Sequence, residues 1–227
     1  MKKDEFADTL IEYLGREGIP FSSKQAALCR EHVLLMLEWN RRTNLTRITD
    51  LREILVKHLL DSLLPSLRLP CTGPALDVGT GPGFPGVPLK ILHDGLDMVL
   101  LESNRKKVSF LKVLLSRLNI ERIHVIEGRW EDLDRLPGPV GTSGYGLITM
   151  RAVRLEPEHL SRLALRSLKP GGIFAWWAGP SAGSEYEGAE TVDREGGLAF
   201  RGAPSYVLPV LKQLRRVFIW EKVDEAG

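Results

Sequence analysis

The apolar positions follow two rhythms that divide the chain near residue 70. Before it they recur at helical intervals. Phe6, Leu10, Ile11 and Leu14 form one stripe over residues 3–17, which Gly15 and Gly18-Ile19-Pro20 close. Phe21-Ser22-Ser23 offers an N-cap for a longer helix, whose broad apolar face carries Ala27, Leu28, Val33, Leu34, Leu35, Leu37 and Trp39. A third helix is predicted over 50–64, with Ile54, Leu55, Leu59, Leu60, Leu63 and Leu64 inward and Arg52, Lys57, His58, Asp61 and Ser62 on its polar side.

After Pro70 short apolar runs alternate with helical segments. Strands are predicted at 74–79, 97–102, 122–127, 145–151 and 172–178, with helices at 86–93, 104–118, 130–136 and 157–168 between them. That alternation implies a parallel, doubly wound sheet. Runs at 205–210 and 215–222 leave no room for a helix between them, so the sheet should close with an antiparallel pair. The expected fold is therefore α/β: a mostly parallel sheet over residues 71–227, preceded by a helical extension over 1–70. Residues 179–204, rich in Gly, Glu and Ala, read as the loosest stretch.

The chemistry concentrates where the first strand ends. Asp77-Val78-Gly79-Thr80-Gly81-Pro82-Gly83-Phe84-Pro85-Gly86 is a strand, a glycine-rich turn and a helix start, an arrangement that brings a nucleotide-like ligand against bare backbone. GxGxG and GxGxxG overlap there, so the glycines alone do not choose the ligand. The neighbours favour S-adenosylmethionine over NAD. Asp77 suits a cationic amino-acid end and would repel a pyrophosphate, and no basic residue lies within 77–89. Glu102 ends the second strand, about 20 residues on, where an acid can accept ribose hydroxyls; Ser103 follows it. After the third strand Trp130 offers a face for adenine, with Glu131 or Asp132 for its amino group, although a core or capping role for the indole fits equally well. Leu168-Lys169-Pro170-Gly171-Gly172 resembles the turn before the fifth strand of class I methyltransferases, a Rossmann-like fold.

Composition narrows the remaining classes. The net charge of +2 is too mild to prove nucleic-acid binding, but five Lys/Arg against two Asp/Glu between 41 and 57 make a local positive patch. Trp39 to Thr46 gathers amides and arginines at a helix end, where they either meet phosphates and bases or cap the helix. Two cysteines and five scattered histidines show no metal-ligand spacing, so no metal is expected. The start of the chain has no secretory pattern and no run reaches the roughly 20 apolar residues of a membrane span, so a cytoplasmic protein is expected; the sequence is silent on oligomeric state, with a monomer as the default.

Trp39-Asn40 with Asn44-Leu45-Thr46, His58-Leu59-Leu60-Asp61-Ser62, Asp77 to Leu89, Glu102 to Lys107 and Arg151-Ala152 together resemble the RsmG family, also called GidB. The resemblance implies a seven-stranded class I methyltransferase that methylates guanine N7 in bacterial 16S ribosomal RNA, free or in the small subunit. By position it implies cofactor contacts at Asp77, two residues before the loop's first glycine, and at Gly79, Gly81, Phe84, Glu102, Ser103, Trp130, Glu131 and Arg151. Arg151 is expected to position cofactor or phosphate rather than act as acid or base. Asn40, Arg41, Asn44, His58 and Lys106 are the candidates for RNA contact. Trp130, Met150, Arg154 and Ala178 depart from the family pattern. An NAD-dependent oxidoreductase and a non-catalytic RNA-binding protein of the same fold remain as alternatives; the first lacks an evident Tyr-Lys or His-Asp set.

Overall fold

The computed structural model of the chain describes residues 1–2, 4–71, 73–135, 144–151, 161, 164–178 and 197–223. Helices α1 (Phe6–Arg16) and α2 (Ser23–Thr43) lead the chain. Ser22 and Gln25 form a reciprocal capping box at the start of α2, and Asn44 ends it in the left-handed conformation at φ 50°. The third predicted helix is compound. It begins as α3 (Leu51–Ile54), widens into a π-helical turn over Leu55–Leu60, returns as α4 (Asp61–Leu63) and tightens into a 3₁₀ turn over Leu64–Arg68.

The sheet contains β1 (Pro74–Val78), β2 (Asp97–Glu102), β3 (Ile123–Glu127), β4 (Tyr145–Arg151), β5 (Leu168–Ala178), β6 (Leu198–Gly202), β7 (Ser205–Leu208) and β8 (Gln213–Lys222). Helix α5 (Gly86–Leu92) joins β1 to β2, and α6 (Arg105–Leu118) joins β2 to β3. The order is β3-β2-β1-β4-β5-β8-β6, with β7 also on β8. The first five strands are mutually parallel and β8 runs antiparallel to β5. β6 pairs with Ile219–Lys222 and β7 with Gln213–Arg216, so the two short strands share one lane and eight strands fill seven positions.

Three expectations need correction. Residues 198–202, assigned to the loose stretch, form β6. The helix expected over 130–136 is a 3₁₀ turn, Trp130–Arg135. β5 starts at Leu168, pairs Leu168 with Tyr145, and then shifts register before Ile173 meets Leu147. The turn glycines absorb that shift, because Gly171 adopts φ 69° and a Cβ on Gly172 would stand 2.7 Å from the Tyr145 carbonyl oxygen. The helix expected over 157–168 lies largely outside the described residues; 164–167 are helical.

Strand alternation sorts the core into two faces. Ala75, Met98, Leu100, Leu147, Ile173, Ala175, Trp177, Val217 and Ile219 join the residues of α1, α2, α5, α6 and the 51–69 segment in one cluster. Leu76, Val78, Val99, Leu101, Ile148, Met150, Phe174, Trp176, Phe218 and Trp220 form the second. The helical residues before position 70 thus bury their apolar stripes on one face of the sheet and share its core. Asp77, Thr149 and Arg151 keep the parity of that face. Helix α2 lies antiparallel to α6, fixed by the Arg117–Glu31 ion pair at 2.6 Å and by Trp39 set edge-on to Phe110. The end of α2 and the start of α6 therefore point the same way as the carboxyl ends of the strands. No helix among the described residues is long and apolar enough to cross a membrane.

Candidate active site

The turn after β1 is built from glycines that a side chain would strain. Gly79, Gly81 and Gly83 take φ of 64°, 61° and 97°. The N–H groups of Gly79 and Thr80 both donate to the Leu101 carbonyl, at 2.9 and 3.1 Å, which pins the turn to the end of β2. Gly86 is required for a different reason. A Cβ there would stand 2.5 Å from Leu100 Cδ2 and 2.8 Å from Asp77 Oδ2.

Two carboxylates hold this turn from below and from the side. Asp77, fully buried, accepts from Thr80 Oγ1 at 2.5 Å and Gly86 N–H at 2.8 Å through Oδ2, and from Thr149 Oγ1 at 2.8 Å through Oδ1. Burial pushes its carboxyl up to about 6, against these donors and the nearby Arg151 charge, which pull it down. Glu102 accepts from Gly81 N–H at 2.9 Å and from Asn104 N–H at 2.8 Å, one with each oxygen. Each oxygen keeps a further lone pair for another donor.

The helical layer meets the same turn. Phe84 is stacked between His32, at 4.6 Å and 13°, and His58, at 4.8 Å and 17°. His32 Nε2 donates to the Pro82 carbonyl at 2.7 Å, and burial pushes this imidazole down to about 4. His58 carries a polar chain onward. A guanidinium can only donate, so Arg151 Nη2 donates to His58 Nδ1 at 3.2 Å and the proton sits on Nε2, which donates to Thr46 Oγ1 at 3.2 Å. Burial first, then the Arg151 charge, lowers the His58 imidazole to about 3. Thr46 in turn donates its N–H to Asn40 Oδ1 at 2.9 Å. Arg151 Nη1 also donates to the carbonyls of Lys57 and His58, in the π-helical turn, and to Asp61 Oδ2, at 3.3, 3.5 and 3.3 Å. Such widened turns recur at functional sites.

Asp77, Gly79, Gly81, Phe84, Glu102, Arg151 and His58 thus come together at one end of the sheet. Ser103 and Lys106 lie exposed there, at the start of α6, and Arg41 and Asn44 lie exposed at the end of α2. Several roles change on inspection. Asp77 lies under the loop with both oxygens engaged, so it braces the loop rather than facing a ligand. Phe84 is turned into the helical layer, and His58 spends Nδ1 on Arg151 of β4 and Nε2 on Thr46. Asn40 accepts the Thr46 N–H through Oδ1, and Asn44 caps α2 through its left-handed backbone. Trp130 does not offer its ring at the site. It is 3% exposed, packed on Phe174 at 6.0 Å in the second core cluster, with Nε1 donating to Ser167 Oγ at 3.3 Å. Glu131 beside it is exposed. Met150 and Ala178 belong to that second cluster, facing away from Asp77, while Arg154 lies outside the described residues.

Pattern reading gives no role to Thr80, Thr149, Tyr206 or Arg215, and places Asp61 only on the polar side of its helix and within the run His58 to Ser62. Thr149 had a signal, since period-two alternation puts it on the face of Arg151.

The family model for rRNA small subunit methyltransferase G, GidB, matches residues 25–196. A ribosomal RNA small subunit methyltransferase G 1 from Syntrophobacter fumaroxidans is 51% identical over 225 residues, 97% of this chain and 98% of that protein. The chain belongs to the rRNA small subunit methyltransferase G family. A further member from Pelotomaculum thermopropionicum is 35% identical over 96% of this chain and 91% of its own. Among solved structures, a SAM dependent methyltransferase from Aquifex aeolicus aligns with a TM-score of 0.57 at 18% identity, covering 75% of this chain and 93% of that one. A putative sarcosine dimethylglycine methyltransferase from Galdieria sulphuraria aligns at 0.55 and 14% identity, over 77% and 89%. The structural likeness concerns the fold, which is that of the class I methyltransferases.

Proposed function

We propose that this family member transfers the methyl group of S-adenosylmethionine to N7 of a guanine in 16S ribosomal RNA of the small subunit. Membership of the family supports the donor, the reaction class and the RNA. The donor set of the site fits a cationic, ribose-bearing ligand. Glu102 stands at the end of β2 with a further lone pair on each oxygen, no basic residue lies in 77–89, and a Cβ on Gly81 would meet only the Gly79 carbonyl oxygen at 4.0 Å. When bound, S-adenosylmethionine supplies an electrophilic methyl on a sulfonium.

The observation that carries the N7 assignment is the state of the two histidines. His32 and His58 are held neutral; the Nδ1 lone pair of His58 is spent on Arg151 Nη2, and His32 is fully buried against the Phe84 ring. Neither is arranged as a general base, which suits an acceptor atom that attacks through a free lone pair and has no proton to lose. The protein then works by positioning. The glycine turn and Glu102 hold the cofactor end of the site, with ribose hydroxyls donating to the free lone pairs of Glu102. Arg151, fixed at the end of β4, orients cofactor or phosphate. Arg41, Arg42 and Lys106, exposed at the same end, attract the RNA backbone.

The test is transfer of labelled methyl from S-adenosylmethionine to small-subunit RNA taken from cells lacking this protein, mapped by chemical cleavage at N7-methylguanine. One cleaved guanine is expected. Label at another atom or no transfer to RNA or to intact subunits, despite measurable cofactor binding, overturns the assignment.

A further inference from the structure

Asp61 gathers groups from four separate parts of the chain. Its Oδ2 accepts from Arg151 Nη1 at 3.3 Å; its Oδ1 accepts from Tyr206 Oη at 2.7 Å and lies 3.7 Å from Arg215 Nε. Its backbone carbonyl independently accepts from Trp177 Nε1 at 2.7 Å and Tyr206 Oη at 3.3 Å. Tyr206 and Arg215 sit opposite one another in the β7–β8 hairpin. Because Ala178, the last residue of β5, pairs with Arg216, the rest of this hairpin continues past β5 at the end of the sheet where the glycine turn lies.

We infer that Asp61 is a positioning residue for methyl transfer, anchored by Tyr206 and Arg215 of the β7–β8 hairpin so that it fixes the Arg151 guanidinium at the end of β4. The inference rests on the role proposed above for Arg151. The division of labour within Asp61 supports it. The main chain is tied down through its own carbonyl, so the carboxylate is not needed to hold the segment in place. Among the described residues the carboxylate's partners are Arg151 and the two hairpin residues. Arg151 and Arg215 both lie within 3.7 Å of this one carboxylate. Without its charge two guanidiniums face each other in a half-buried setting, and Arg151 is pushed from its place. Arg215 Nε has no hydrogen-bond partner among the described residues, so its hold on Asp61 at 3.7 Å is Coulombic and the short Tyr206 bond supplies the direction.

The test uses the full chain with small-subunit RNA from cells lacking it. Asp61→Asn keeps the shape and removes the charge. It should lower kcat at least tenfold, on the order of the loss that follows a reacting group misplaced by an ångström, with KM for cofactor and RNA within about twofold of wild type. Tyr206→Phe, which removes one donor and leaves the fold least disturbed, should lower kcat about threefold with the same unchanged KM values, and it decides the matter if Asp61→Asn does not fold. The double variant Asp61→Asn/Arg151→Ala should be no slower than Arg151→Ala alone. Wild-type kcat in Asp61→Asn or Tyr206→Phe beside a slow Arg151→Ala overturns this inference and leaves the Arg151 role standing. So does a loss confined to KM. Wild-type kcat in Arg151→Ala overturns both.

Discussion

Asp77 and Asp61 are both buried carboxylates at the catalytic end of the sheet, and they hold opposite kinds of partner. Asp77 takes neutral donors, Thr80, Gly86 and Thr149, and three of these four residues lie within ten positions of one another. Asp61 takes two guanidiniums and a phenol that come from positions 151, 206 and 215. The first arrangement shapes a local turn into a ligand cradle. The second ties the helical layer to the far hairpin and leaves one cation placed at the mouth. On the function proposed above, the neutral brace serves the cofactor turn and the charged hub sets the geometry of transfer, so the two should fail differently.

The brace should break hardest. Asp77→Ala leaves the Gly86 N–H and the Thr80 hydroxyl without their acceptor and Thr149 Oγ1 with only the Leu76 carbonyl at 3.5 Å, and should cost about 2–4 kcal/mol in denaturant unfolding. It should also weaken S-adenosylmethionine binding tenfold or more by calorimetric titration. An unaltered dissociation constant counts against the bracing role. Gly86→Ala pushes a methyl against Leu100 and Asp77 and should destabilise by about 1–3 kcal/mol, again with weaker cofactor binding.

Acid sharpens the contrast. His32 and His58, lowered to about 4 and 3, stay neutral in the fold and take up protons on unfolding, so their contribution to stability is lost as pH falls below about 6.5. Asp77, raised to about 6, works the other way, and its contribution is lost as pH rises through 6. Between pH 6 and 4 two imidazoles oppose one carboxyl, and stability should fall on acidification by about 1.4 kcal/mol per pH unit. Greater stability at pH 4.5 than at pH 6 would refute this balance. Asn40→Ala, which loses a single bond to Thr46 N–H, should cost only about 1 kcal/mol and leave cofactor affinity unchanged.

The difference between the two carboxylates also explains what could be read from the chain. The glycine turn, Glu102 and the β-α alternation were legible because their partners lie close in sequence or repeat with a simple period. Strands β2 and β4 have the limits that their apolar runs suggest, Asp97–Glu102 and Tyr145–Arg151. The Asp61 cluster was not legible, since no local pattern links residues 61, 151, 206 and 215, and the π-helical turn that brings Lys57 and His58 to Arg151 leaves no mark in the apolar spacing. Phe84 and Trp130 mislead for a related reason. An aromatic beside a glycine turn looks like a ligand platform, and only the packing of His32, His58 and Phe174 shows that both rings are already covered.

The central claim is that the helical layer and the glycine turn make one methyl-transfer site through Arg151. It is tested most directly by single-turnover transfer of labelled methyl to small-subunit RNA by Arg151→Ala at saturating cofactor and RNA. The rate should fall about a hundredfold, the size of loss expected when a positioning group is removed, with the fold intact by circular dichroism. Transfer at the wild-type rate would contradict the account.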